Sequence, residues 1–129
     1  MDALRRLHEG LAASGILLDL HPTAPGAYAV AGGRTLGAFD DRDFLALVRS
    51  TEQGLEEAVA LGLFEPEREL KLVVVDRFES ADELLDRAYG RRLARVPRQL
   101  ASEIRAAAEA PFEIRHPVVL RRLRALRAA

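Results

Sequence analysis

The chain has 129 residues with 19 basic and 20 acidic side chains, a formal net charge of −1. That length fits one domain over 1–129 and is too short for two self-sufficient ones, and an apolar share of 49% beside 30% charged residues is a globular balance. The absence of cysteine excludes disulfides, thiol nucleophiles and cysteine-ligated zinc, and no apolar run is long enough for a membrane span.

Met1–Gly10 mixes acids and bases and lacks the apolar centre of a signal peptide, so a cytoplasmic protein without membrane association is expected. Residues Asp2–Ala13 place Leu4, Leu7 and Leu11 on one face of a helix, which Gly15 is expected to end in the left-handed conformation. Ile16–Leu20 reads as a buried strand closed by His21-Pro22. Tyr28–Ala31 and Arg34–Ala38 flank Gly32-Gly33, the pattern of a hairpin with a two-residue turn. Asp40 or Asp41 caps the next helix, whose apolar stripe is Phe44, Leu47, Val48, Leu55 and Val59, with Gly62 as its stop.

Pro66 is read as the start of a connection, and Leu70–Phe78 as the clearest strand in the chain. Ser80 and Glu83 form a capping box opening a helix that stops at Gly90. Val96-Pro97 starts another helix, running to about Glu109. Phe112–Leu123 is a last strand, interrupted by Pro117, and Arg124–Ala129 a frayed tail. The fold class expected is α+β, derived from α/β: a small mixed sheet of about three main strands plus a hairpin, packed against four helices.

The near-zero charge conceals an asymmetry. Residues 1–69 carry 6 bases and 12 acids, and residues 70–129 carry 13 bases and 8 acids. Such halves either bind a polyanion or pack on one another; the basic half contains few aromatics, which favours packing. Of the 19 bases only Lys71 is lysine and asparagine is absent, a bias expected of a GC-rich genome ahead of a thermophilic source.

Several strings together resemble a known family: Ala3–Leu11 leading into Gly15–Pro22, then Glu57–Phe64, Phe78–Leu84 and Val118–Leu123. They are similar to the C-terminal half of class I S-adenosylmethionine-dependent methyltransferases, in which the last strands form an antiparallel edge. The family's cofactor site lies in its other half, on a glycine-rich turn after a first strand and an acid ending the second. Neither Gly32-Gly33 nor Asp19 matches those places, so no cofactor is expected and the chain is expected not to be an enzyme on its own.

Candidate chemistry is sparse. If the last strand runs beside the first, as the resemblance implies, His21, His116 and the Asp76–Glu79 strand end share one edge of the sheet, where a His–carboxylate pair moves protons. The competing reading is that His-Pro merely ends or bends a strand. Asp40, Asp41 and Asp43 read as helix capping rather than a calcium loop, and no metal is expected. Ser14, Ser50, Ser80 and Ser102 lack a nucleophile-elbow context. Within the basic stretch that also holds Arg87 and Arg92, Arg91, Arg95 and Arg98 fall at helical spacing, a stripe for an anion or for the acids Glu52, Glu56 and Glu57.

An apolar strand Ile16–Leu20 with an uncovered edge either aggregates or pairs. The hairpin at 28–38 folds over it, a second copy covers it, or another polypeptide supplies the missing half. The expected function is a non-catalytic or accessory domain acting through self-association, as a homodimer, or through a partner protein. The alternatives are a substrate-side subunit of a split methyltransferase and an arginine-rich nucleic-acid-binding module, the latter not favoured.

Overall fold

The computed structural model describes residues 2–91 and 94–127. Along these residues run α1 (Asp2–Gly10), β1 (Ile16–Pro22), β2 (Tyr28–Ala31), β3 (Arg34–Ala38), α2 (Arg42–Ala60), β4 (Phe64–Phe78), α3 (Ala81–Tyr89), α4 (Arg98–Ala106) and β5 (Phe112–Ala125). Arg92 of the expected basic stretch and the last two residues of the expected tail lie outside the described residues. The expected architecture is present: three main strands (β1, β4, β5), a hairpin (β2–β3) and four helices. Every pairing in the sheet is antiparallel, where a mixed sheet was expected.

The last strand organises the sheet. One side of β5 pairs along its whole length with β4, from Phe64↔Ala125 to Phe78↔Phe112. The other side carries β1 and β2 end to end: β1 against 118–124, β2 against 112–115. The hairpin therefore lies beyond the end of β1 and does not fold over it. Pro117 falls at the joint between the two short strands. Its carbonyl accepts from Thr23 N–H at 3.0 Å, so the N–H that proline lacks would also have faced this joint, and no ladder bond is lost. The strand consequently runs through Pro117 to Ala125 instead of breaking there.

Two apolar clusters hold the helices to the sheet. Phe112 and Ile114 of β5 pack with Ala29, Ala31, Leu84, Leu85, Leu100 and Ile104, beneath α3 and α4. Leu123 and Ala125 pack with Leu55, Ala58 and Phe64, beneath α2, with Leu4 and Leu11 beside them. The first pair of β5 residues is even-numbered and the second odd-numbered. Strand side chains alternate with period two, so the clusters sit on opposite faces at opposite ends of the sheet. Of the stripe expected on α2, Leu55 is buried and Val59 packs beside it, whereas Leu47 is exposed; Ala58, outside that stripe, is also buried.

Local signals mostly form the expected structures. Gly32 and Gly33 have φ of +57° and +79°, the conformation a primed two-residue turn requires, and a Cβ on Gly32 would stand 2.7 Å from Glu109 Cβ. Ser80 Oγ accepts from Glu83 N–H at 3.1 Å, and Glu83 returns a carboxylate oxygen to the N–H of Glu79, one residue before the cap. Gly62 ends α2 with φ of +76°.

Other boundaries move. The left-handed residue after α1 is Ser14, not Gly15, and α1 ends at Gly10 rather than Ala13. His21-Pro22 lies inside β1, because Pro22 is still opposite Val118. Pro66 lies inside β4, next to a bulge between Pro66 and Arg68, so β4 begins at Phe64 rather than Leu70. The helix begun at Pro97 stops at Ala106, short of Glu109. Arg124 and Ala125, expected in a frayed tail, remain paired in β5.

Candidate functional site

The structure separates the two histidines that were expected to share an edge. His21 lies opposite Val119 of β5 and His116 opposite Val74 of β4, so the period of two puts them on different faces. His21 is buried on the face covered by α2. Its Nδ1 is 2.7 Å from Asp19 Oδ2 and its Nε2 2.6 Å from Glu52 Oε1, so the ring sits between a carboxylate of β1 and one of α2. His116 Nε2 lies 3.2 Å from Asp76 Oδ2 on the opposite face. Glu79 is exposed beyond the end of β4, and its backbone N–H is engaged by Glu83. Each histidine thus has its own carboxylate, and the three candidates form no common site.

The arginine stripe is not formed either. Pro97 fixes the start of α4, which leaves Arg91 and Arg95 on the connection before it and Arg98 alone in its first turn. Arg91 reaches Asp41 at 3.5 Å, and Arg95 reaches Asp43 at 3.9 Å while its backbone bridges Asp40. Their partners are the acids at the start of α2, not Glu52, Glu56 and Glu57. Asp41 flanks α2 but spends its buried carboxylate elsewhere, accepting from Ala27 N–H at 2.8 Å. Asp40 accepts from the Arg42 guanidinium and backbone N–H, and that hydrogen-bonded cation holds its pKa down to about 2.

The two charged halves of the sequence meet inside the chain. Arg121 pairs with Glu69 at 3.1 Å, and Glu67 receives both Arg122 at 3.0 Å and Arg124 at 2.8 Å. Glu67 is held below its ordinary pKa mainly by the Arg124 hydrogen bond. At the other end of the same strand pair, the buried carboxylate of Glu113 accepts from Arg115 at 2.9 Å and Arg77 at 3.2 Å, and those bonds lower its pKa in that order. Among the described residues no group of three or more His, Asp or Glu is arranged to hold a metal ion, and no helix is long and apolar enough to cross a membrane.

Between α2 and the sheet lies a cleft of about 460 Å³ lined by Leu55, Val59, Pro66 and Leu123. Its charged rim includes Arg121 and Glu69, which already neutralise each other.

The feature that stands apart is β4. Among the described residues it pairs with β5 on one side only, leaving its other edge open over fifteen residues. Leu70, Leu72, Val73, Val74 and Val75 are between 38% and 51% exposed, so side chains pointing to both faces of this strand meet solvent. On the even-numbered face the apolar surface continues across the sheet: Leu70 is opposite Leu120, which is opposite Leu20, and both Leu18 and Leu20 are exposed. Among the described residues no helix packs there, because α3 and α4 cover that face only at the Phe112 end.

The sequence pattern marks Leu70–Phe78 as the clearest strand without placing it in the sheet, and points to an open edge at Ile16–Leu20 instead. The edge character of β4 was written in Pro66 and in the charges Glu65, Glu67, Arg68, Glu69 and Lys71, devices that suit a strand border. Compared with known proteins, the chain matches no family model, no curated protein and no solved structure.

Proposed function

We propose that this chain is a non-catalytic, accessory α+β module that works by self-association, with the open edge of β4 as the contact. The observation that carries the reading is the exposure of Leu70, Leu72, Val73, Val74 and Val75 on a strand whose outer edge has no partner. A long apolar edge strand presents unpaired N–H and C=O groups beside surface that favours burial, and pairing satisfies both. Symmetric homodimers are the commonest way small proteins close such a surface.

Other features fit the same reading. Two of the three stripe arginines, Arg91 and Arg95, pair with Asp41 and Asp43, and the strand arginines Arg77, Arg115, Arg121, Arg122 and Arg124 pair with Glu67, Glu69 and Glu113; among the described residues Arg98 is not one of the paired ones. That engagement weighs against the nucleic-acid alternative, which needs cations directed outward. The resemblance to half of a methyltransferase enters as the reason to call the module accessory, and the antiparallel pairing of β1 with β5 is the sheet feature in keeping with it.

Two measurements test the proposal. Sedimentation velocity on the purified chain at micromolar concentration is expected to show a dimer, and a monomer throughout that range sinks self-association. Calorimetry with S-adenosylmethionine is expected to show no binding; micromolar affinity sinks the non-catalytic assignment and favours a methyltransferase subunit.

A further inference from the structure

Resting on the self-association reading, we infer that two copies join β4 to β4 in one antiparallel register, centred on Leu72, so that the two sheets become one. Three lines of geometry lead there. The first is the direction of the backbone groups. Thr23 N–H donates to Pro117 C=O, and Ala125 N–H donates to Gly15 C=O, so odd-numbered residues of β5 point their backbone groups toward β1 and β2. Even-numbered residues of β5 therefore point toward β4, where they face Leu70, Leu72, Val74 and Asp76. In an antiparallel ladder the residues of such pairs bond to each other. The backbone groups left for the open edge are those of Glu69, Lys71, Val73, Val75 and Arg77.

The second line is symmetry. A two-fold axis perpendicular to the sheet makes an antiparallel strand pair in which opposed residues share a face, so odd must oppose odd and even must oppose even. The axis then passes midway between one residue of β4 and its own copy. The apolar stretch offers Lys71, Leu72, Val73 and Val74 as centres.

The third line is charge. A centre at Lys71 sets that lysine against its own copy, and a centre at Val74 sets Lys71 against Arg77. Like charges directly opposite destabilise a strand pair. A centre at Val73 sets Glu69 against Arg77 at hydrogen-bonded sites but leaves the charge of Asp76 against Leu70 at the closer, non-hydrogen-bonded sites. A centre at Leu72 sets Leu72 against itself, Leu70 against Val74, and Arg68 against Asp76, the last pair occurring twice by symmetry. These pairs all fall at the non-hydrogen-bonded sites, where side chains come closest, while the wider hydrogen-bonded sites set Lys71 against Val73 and Glu69 against Val75. The sequence from Arg68 to Asp76 is thus complementary to its own reverse on the exposed even-numbered face. That self-complementarity is what identifies the occupant as a second copy of this chain.

The chain lacks cysteine, so an introduced cysteine reports its own surroundings. A residue opposite its own copy at a non-hydrogen-bonded site has a Cα separation of about 4.5 Å, within reach of a disulfide. Under mild oxidation Leu72→Cys is expected to run as a covalent dimer, while Val73→Cys stays monomeric on a non-reducing gel. Arg68→Asp and Asp76→Arg are each expected to weaken association about tenfold, and the double variant to restore it.

Failure of the register and failure of self-association give different results. Cross-linking of Val73→Cys but not Leu72→Cys, in a chain that still sediments as a dimer, overturns the Leu72 centre alone. A dimer in which neither cysteine cross-links and neither charge reversal matters overturns the β4 contact. A wild-type chain that sediments as a monomer overturns both readings.

Discussion

β4 and β5 lie side by side for almost their whole length, are rich in the same residue types, and yet have opposite fates. Val118, Val119 and Leu123 of β5 are buried, whereas Leu72, Val73 and Val74 of β4 are near half exposed. Hydropathy does not separate them, since Leu-Val-Val-Val is the more apolar run. Position does: β5 has strands on both sides and β4 on one. Burial in a sheet is therefore set by the number of neighbours and by where the helices land, and an apolar strand given one neighbour keeps the driving force to acquire another.

The sharpest way to break this contrast is truncation on each strand. Ile114→Ala, at a site 1% exposed beneath α3 and α4, is expected to cost about 2–5 kcal/mol in urea denaturation. Val73→Thr, measured at a concentration where the chain is monomeric, is expected to change stability by no more than about 0.5 kcal/mol. Equal costs would mean that β4 is as well packed as its neighbour.

The second comparison concerns association rather than folding. Leu72→Lys is expected to shift the sedimenting species from dimer to monomer while leaving the circular dichroism spectrum unchanged, because an exposed edge accepts a lysine. A variant that unfolds would show Leu72 to be part of the core of a single chain.

The third uses acid. Glu113 sits at the covered end of the strand pair and its pKa is below the ordinary 4.5, through Arg115 first and Arg77 second. The folded chain binds that proton less readily than the unfolded one, so the stability it adds is fully present above the ordinary value. It is lost as pH falls through the lower folded-state value. The wild type is expected to lose denaturation midpoint more steeply than Glu113→Gln from about pH 5 downward. Parallel profiles would remove Glu113 from the account of acid stability.

The smallest effect expected is at Pro117. Its missing N–H faces the joint between β1 and β2, so Pro117→Ala restores no ladder bond and loses only the stiffness proline gives the unfolded chain. A destabilisation of about 0.4–1 kcal/mol is expected in thermal or urea unfolding. A gain in stability would show that the ladder does lack a bond there.

What could be read without the structure follows the reach of each signal. The Gly32-Gly33 turn, the Ser80–Glu83 cap and the Gly62 stop were legible because each is settled by residues within a few positions of one another. The pairing of strands was not. Whether His21 and His116 meet depends on the register of β5 against both β1, about a hundred residues away, and β4, about forty away, and a shift of one residue moves a side chain to the other face. The arginine stripe failed for a local reason: Pro97 starts a helix and cannot sit within one, so Arg91 and Arg95 could not continue onto α4. The open edge of β4 was half legible. The marks were present at Pro66 and Lys71, but a run of leucine and valine looks alike in the middle and at the border of a sheet.

The place of β5 in chain order also has a kinetic side. Every strand but β3 pairs with it, and it is the last of the five to be synthesised. Before residue 112 emerges, a nascent chain can close the β2–β3 hairpin and wind its helices, but β1 and β4 have nothing to ladder against. The Leu70–Val75 run then waits as an unprotected strand while translation finishes. Contacts of such long sequence separation also slow folding once the chain is complete. The same run that lies open to solvent in the finished molecule is thus, for the length of one synthesis, a segment in need of shielding.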